Sequence, residues 1–316
     1  MAKNSVLAVR YGHRVTSRAE SYLNYHLYGE PDADLDIDYY FWVIRDESDE
    51  SDGSDGSAAR AGSAARAGSA ARAGSAARAG SAAGAASTGR AARAGHGVTL
   101  VDTGFAPAVG DRRGRAHHTT PAQALPALGI DPADVSTVVI THAHWDHIGN
   151  IGQFPRAQLV LAEAEYDFWT SPMAARAHFA AHSEPDEIAQ LRQARKDDRV
   201  TLFNHQLTLA PGVELVEVGG HTPGQLVVAV TAAAASTVVL ASDALHFYAE
   251  AERDRPFAIV ADLPAMYRAY DLLNDWAGQQ ATYLVAGHDP LVRERFAAHP
   301  AGPDITDLAT PRLTPR

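Results

Sequence analysis

The run THAHWDHIGN, from Thr141 to Asn150, places His142, His144, Asp146 and His147 within six residues. In an extended chain, residues two apart share a side, so His142 and His144 can meet one ion. Asp146 and His147 lie past the turn, where the first turn of a short helix lets them face a second. Three more candidates each stand just after an expected strand: His221 after VELVEVGG, Asp243 after TVVLAS and His288 after TYLVAG. Five histidines and two aspartates make seven donors, too many for one zinc ion, which takes about four. If Asp243 bridges, one ion has His142, His144, His221 and Asp243, and the other has Asp146, His147, His288 and Asp243. An all-nitrogen-and-oxygen set suits zinc, and also iron, manganese or cobalt. The chain has no cysteine, which excludes disulfides, thiolate metal sites and cysteine nucleophiles. A single histidine or aspartate is more often a surface or capping residue. The remaining histidines, among them His13, His26, His117, His118, His178, His182 and His205, are therefore read as ordinary.

Strands and turns must bring these residues together. The runs STVVI, LVVAV and TVVLA are continuously apolar, as in strands buried on both faces. Strands are expected at 137–140, 158–162, 200–203, 213–218, 225–231, 237–241 and 282–286. Helices are expected at 121–128, 163–170, 184–196 and 263–276. Side chains at the carboxyl ends of several strands converge on one crevice. Gly219, Gly220 and Gly287 beside the ligand candidates suit the sharp turns this needs. Hairpins mixed with helices point to sheets covered by helices, a layered α/β or α+β domain.

One segment stands apart. Residues 46–96 open with DESDESDGSDG and continue with four copies of SAARAG. No side chain there larger than alanine offers a face to bury, so the segment is expected to be disordered or a fraying helix. Its six acidic residues balance its six arginines, so the chain's net charge of −11 belongs to the remainder. The flanks YYFWVIR and GVTLVD both read as strands and can pair as a hairpin, with the segment inserted at its tip. The expected organisation is a single metal-binding domain over 1–316, with the 46–96 insertion and a surface C-terminal tail at 300–316. No apolar run reaches the ~18 residues of a membrane span, and the start lacks an apolar stretch of signal-peptide length. The expected location is the cytoplasm. The acidic balance disfavours nucleic acid, which needs a basic face.

HxHxDH from His142 to His147, followed by His221, Asp243 and His288, resembles the metal-ligand pattern of metallo-β-lactamase-fold hydrolases. Within them the sequence is most similar to the N-acyl-homoserine lactonases. GGHTPGQ around His221, ASDALHFYAE after Asp243, VAGHDPLV around His288, VDTGF at 101–105, AVRYGHR and DYYFWVIR all carry the likeness, which covers most of the chain outside the insertion. It implies an α+β, four-layer αββα fold with a dinuclear site at one edge between the sheets. It implies that Asp102 supports the site from behind the ligands. It also implies two divalent ions, zinc foremost, and a hydroxide between them that opens a lactone, with N-acyl-homoserine lactones as substrates and quorum quenching as the role. Asp146 would return a proton to the leaving oxygen. Lactonases of this kind carry a substrate-contacting tyrosine three residues after the bridging aspartate. Here that position is His246, with Tyr248 two further on, and either is a candidate. The expected partners are a small-molecule lactone and a second copy of the chain in a homodimer, without nucleic acid or membrane.

Three other activities compete. A thioester hydrolase of the hydroxyacylglutathione hydrolase type shares all seven ligands but wants a basic pocket, and no lysine cluster supplies one. A nuclease of the same fold is disfavoured by the negative charge, and a non-catalytic binding protein by the complete ligand set. The aromatic-rich stretch 166–179, with Phe168, Trp169, Met173 and Phe179, reads equally as an acyl-chain pocket or lid and as an amphipathic helix on the sheet.

Overall fold

The computed structural model describes residues 4–46, 97–232 and 236–312. The insertion expected at 46–96 lies, apart from Asp46, outside the described residues. Fourteen strands are described: β1 (Asn4–Ser17), β2 (Asp34–Asp46), β3 (Val98–Val101), β4 (Ala116–His117), β5 (Val135–Val139), β6 (Gln158–Ala162), β7 (Val200–Phe203), β8 (Gln206–Ala210), β9 (Val213–Glu217), β10 (Leu226–Thr231), β11 (Thr237–Ser242), β12 (Thr282–Ala286), β13 (Phe296–Ala298) and β14 (Ile305–Pro311). They form two mixed sheets. One runs β13-β14-β1-β2-β3-β5-β6-β7, with β4 on β1; the other runs β12-β11-β10-β9-β8.

Alternation along the strands builds two cores. In β1 and β2 one set of side chains, Val6, Ala8, Tyr40, Trp42 and Ile44, joins the core between the sheets. The intervening set, Leu7, Val9, Tyr39, Phe41 and Val43, joins a second core beneath the outer helices. A period of two sends neighbours to opposite faces, and here both faces are covered, so both sets are apolar. Helix Leu263–Ala277 covers the other sheet through Met266, Tyr270 and Leu273. Helix, sheet, sheet and helix form four layers, an α+β arrangement.

β2 and β3 pair antiparallel, with Trp42 opposite Val101 and Ile44 opposite Thr99, as the two flanking runs suggest. The C-terminal tail is a correction. Ile305–Pro311 is a strand between β13 and β1, with Ile305 buried in one core and Leu308 in the other. The prolines around it mimic a tail, but Pro311 stands at the strand's end, where its missing N–H costs no ladder bond. No helix among the described residues is long and apolar enough to cross a membrane.

Candidate metal centre

Five strand ends supply the site. β3 and β5 are parallel neighbours, and so are β11 and β12, while β9 points the same way as β11 across β10. Their carboxyl ends deliver Asp102, His142–His147, His221, Asp243 and His288 to one edge of the sandwich. The turns are tight. Gly220 has φ +93°, and a Cβ there would sit 2.7 Å from Met266 Cα; a Cβ on Gly287 would sit 2.5 Å from the Ser242 carbonyl oxygen. Asp102 and Ser242 adopt left-handed φ values of +61° and +46°. Such values cost energy for residues with a Cβ and persist where the surroundings demand them.

Two groups result. His142, His144, His221 and Asp243 form one, and Asp146, His147 and His288 the other, with the donor atoms in each within 4.8 Å of one another. Asp243 stands between them. Its Oδ2 lies 3.3 Å from His221 Nε2 and 3.6 Å from His142 Nε2, while its Oδ1 lies 3.0 Å from His288 Nε2 and 3.3 Å from His147 Nε2. Asp146 is the least covered of the seven, its side chain 13 % exposed, with Oδ1 3.9 Å from His147 Nε2.

The surroundings orient the rings. His221 Nδ1 lies 2.9 Å from the Ile259 carbonyl, His288 Nδ1 lies 2.9 Å from the Asp38 carbonyl, and His147 Nδ1 lies 2.8 Å from Asp102 Oδ2. A carbonyl or carboxylate only accepts, so each Nδ1 donates and each Nε2 turns its lone pair inward. Asp102 also accepts from the Thr141 backbone N–H and hydroxyl, and so ties β3 to the ligand loop. Burial, reinforced by neighbouring histidines, holds His142, His144 and His221 well below the usual imidazole range, in the neutral state that binds metal. At His147 burial also opposes the proton, but Asp243, Asp102 and Asp146 outweigh it and hold the pKa well up. Carboxylates that draw a proton there draw a cation equally.

The donor set fits a metal pair. His142 Nε2, His147 Nε2 and Asp243 Oδ1 are buried without a hydrogen-bond partner, in a fold where buried polar atoms are almost always paired. His144 Nδ1 and His221 Nε2 face each other at 2.9 Å, two nitrogens that a shared cation reconciles.

His246 reaches the centre. It borders the cleft, with Nε2 3.0 Å from Asp243 Oδ2 and its ring stacked on Phe257 at 3.7 Å. Tyr248 does not, which corrects its candidacy as a substrate contact. Its hydroxyl donates to the Leu284 carbonyl, and Arg295 caps its ring, because Tyr248 opens helix Tyr248–Arg253 and points into the core between the sheets. Two residues the sequence reading passed over do contribute. Tyr39 borders the cleft beside His288. Glu165, fully buried, accepts from the Ala143 N–H, the Trp169 indole and the Gly224 N–H, and so joins the His142–His144 loop to the His221 turn. Glycines flanking a ligand signal turns, but nothing in the sequence marks a buried glutamate as a tie. Phe168, Trp169 and Phe179 line a narrow apolar crevice beside His144 and His221, whereas Met173 is 45 % exposed and lies outside it.

The family model of the metallo-beta-lactamase superfamily matches residues 91–288, and the chain belongs to that superfamily. N-acyl homoserine lactonase AiiB of Agrobacterium fabrum (strain C58 / ATCC 33970) is 31% identical over 176 residues, 55% of this chain and 63% of that protein. The chain thus spans under two thirds of that relative's length. A crystal structure of a quorum-quenching N-acyl homoserine lactone lactonase superposes with a TM-score of 0.65 at 17% identity, covering 95% of this chain and 98% of the other. An N-acyl homoserine lactone hydrolase with the product N-hexanoyl-L-homoserine at its catalytic metal centre gives 0.65 at 16%, covering 95% and 99%.

Proposed function

We propose that the chain is a metal-dependent hydrolase that opens lactone rings, with N-acyl-homoserine lactones as the substrate class and two zinc ions as the cofactor. The observation that carries this reading is Asp243, whose two oxygens face two separate histidine groups beside a cavity of about 240 Å³. The similarity to named lactonases narrows the reaction. His142, His144, His221 and Asp243 would hold one ion, and Asp146, His147, His288 and Asp243 the other. When bound, such a pair supplies Lewis acidity and hydroxide at neutral pH.

The chain's own groups do the rest. Asp102 and the two backbone carbonyls fix the rings of His147, His221 and His288, so that none of the three rotates to satisfy its second nitrogen. Asp146, open to the cleft, is placed to pass a proton to a leaving alkoxide. His246 meets Oδ2 of Asp243, while His288 meets Oδ1. The aromatic wall of Tyr39, Trp145 and Phe257 limits water around the scissile bond.

A competing reading, thioester hydrolysis, gains from one observation: Arg14, Arg113 and Arg115 border the cleft and give it basic groups that no lysine provides. A panel assay separates the two, since lactone opening releases acid without thiol and thioester cleavage releases thiol. The purified chain is expected to hold about two ions and to open homoserine lactones. Thiol release without lactone opening would overturn the reaction assigned here, and a single tightly bound ion would overturn the bridging role.

A further inference from the structure

Arginines gather at the mouth of an otherwise acidic protein. The chain carries a net charge of −11, yet Arg14, Arg113 and Arg115 come together on the cavity that Asp146 and His288 border. Two of the three are spent on carboxylates: Arg14 pairs with Glu20 at 3.0 Å, and Arg113 with Glu184 at 2.8 Å. Arg115 is different. Its Nε donates to the Tyr39 hydroxyl at 3.0 Å, its Nη1 donates to the Arg113 carbonyl, and Trp145 lies beside the guanidinium. Among the described residues no carboxylate lies within 4.0 Å of it. The side chain is half-buried, so its charge is partly desolvated and uncompensated, and Nη2 has no partner among the described residues. The carboxylates that border the cavity, Asp146 and Asp243, belong to the metal groups.

A guanidinium held by neutral partners, with one edge left over, is built to receive an anion. Tyr39 adds a second donor. Its oxygen already accepts from Arg115, which leaves its own proton to give into the cavity. A planar carboxylate fits this pair, taking Nη2 on one oxygen and the phenol on the other.

We propose that the cleft holds an anion subsite made by Arg115 and Tyr39, and that a carboxylate beside the bond to be cleaved strengthens the binding of a lactone there. This rests on the hydrolytic reading above and extends its substrate class from neutral N-acyl-homoserine lactones to lactones that bear a carboxylate. Arg14 and Arg113 raise the local potential without being contacts.

The test uses pyroglutamate, a hydrolysis-resistant γ-lactam with a carboxylate, and its neutral amide, titrated calorimetrically into the metal-loaded chain. Pyroglutamate is expected to bind about tenfold tighter or more, the scale of one charge-assisted hydrogen bond. Arg115→Gln should erase the difference, Arg115→Lys should keep part of it, and Tyr39→Phe should reduce it. Equal affinity of the two probes, including no detectable binding of either, overturns the subsite, as does a preference that Arg115→Gln leaves intact. In parallel, kcat/KM is measured for a γ-butyrolactone bearing a carboxylate and for its carboxamide. If neither lactone opens while pyroglutamate binds through Arg115, the lactone reading fails and the subsite stands. If both open equally and the lactams bind equally, the subsite fails and the lactone reading stands.

Discussion

Asp243 is the side chain on which both halves of the centre close. Burial alone would favour its neutral acid, but His147, His246 and His288 outweigh that and hold its pKa well down. A carboxylate kept ionised among imidazoles, with one oxygen toward each group, has the form of a bridge. If Asp243 bridges, Asp243→Ala removes a ligand from both positions at once. Metal content is expected to fall below two ions per chain, and turnover to drop by about 100-fold or more, the upper range for losing even an indirect metal support. Full activity with full metal content in that variant would show the bridge to be dispensable. The seven donors were legible in the sequence because metal chemistry demands particular residue types, and these stand out one by one after apolar runs. Tyr39, Arg115 and Glu165 were not. A tyrosine inside YYFWVIR reads as core, and half of that reading is correct, since its ring is buried in the core although the residue also borders the cleft. Arg115 lies in a polar stretch whose folding back over Trp145 no local pattern announces.

Elements were legible where burial is complete. STVVI, LVVAV and TVVLA became β5, β10 and β11 because a strand covered on both faces is apolar throughout. β8 was missed because its side chains are only partly buried, and β14 because prolines flank it. Helix Pro185–Lys196 matched its expected span but carries something its sequence does not reveal. Glu187, on its inward face, is 4 % exposed, and neither carboxylate oxygen has a hydrogen-bond partner among the described residues. Its pKa is pushed up to about 8, chiefly by burial and then by Glu184 and Asp146, against the pull of Arg113 and Arg112. Between the ordinary value of 4.5 and about 8 the folded chain keeps a proton that the unfolded chain has lost. Stability must therefore fall as pH rises through that window and level off above it. Glu187→Gln stays neutral throughout. Its thermal midpoint is expected to exceed that of the parent at pH above 8, with the advantage shrinking as pH falls toward 5. An offset that stays constant across that range would mean that Glu187 is not protonated in the folded chain.

At the scale of the whole molecule, the open issue is how a hydrolase tolerates the repeat between its second and third strands. β2 ends at Asp46 and β3 begins at Val98, and their partners run from Ile44 opposite Thr99 to Trp42 opposite Val101. The hairpin register is thus held by residues on either side of the insertion. All seven metal-group residues stand at or after His142 in the sequence. Removing residues 48–94 would join Glu47 to Gly95 and leave Glu47, Gly95, His96 and Gly97 between the two strands. A four-residue connection with two glycines is within the usual range for a hairpin. Loop-closure entropy changes only slowly with length, so the shortening is expected to leave the fold intact or to favour it slightly. The shortened chain should keep kcat/KM within about twofold, because β2 and β3 pair through Trp42–Ile44 and Thr99–Val101, which the deletion leaves in place. Its thermal midpoint should not fall. A collapse in solubility or a lowered midpoint would mean that 46–96 is an integral part of the domain, and lost activity in a well-folded variant would point to direct participation at the cleft. Rates and midpoints measured side by side separate these two outcomes.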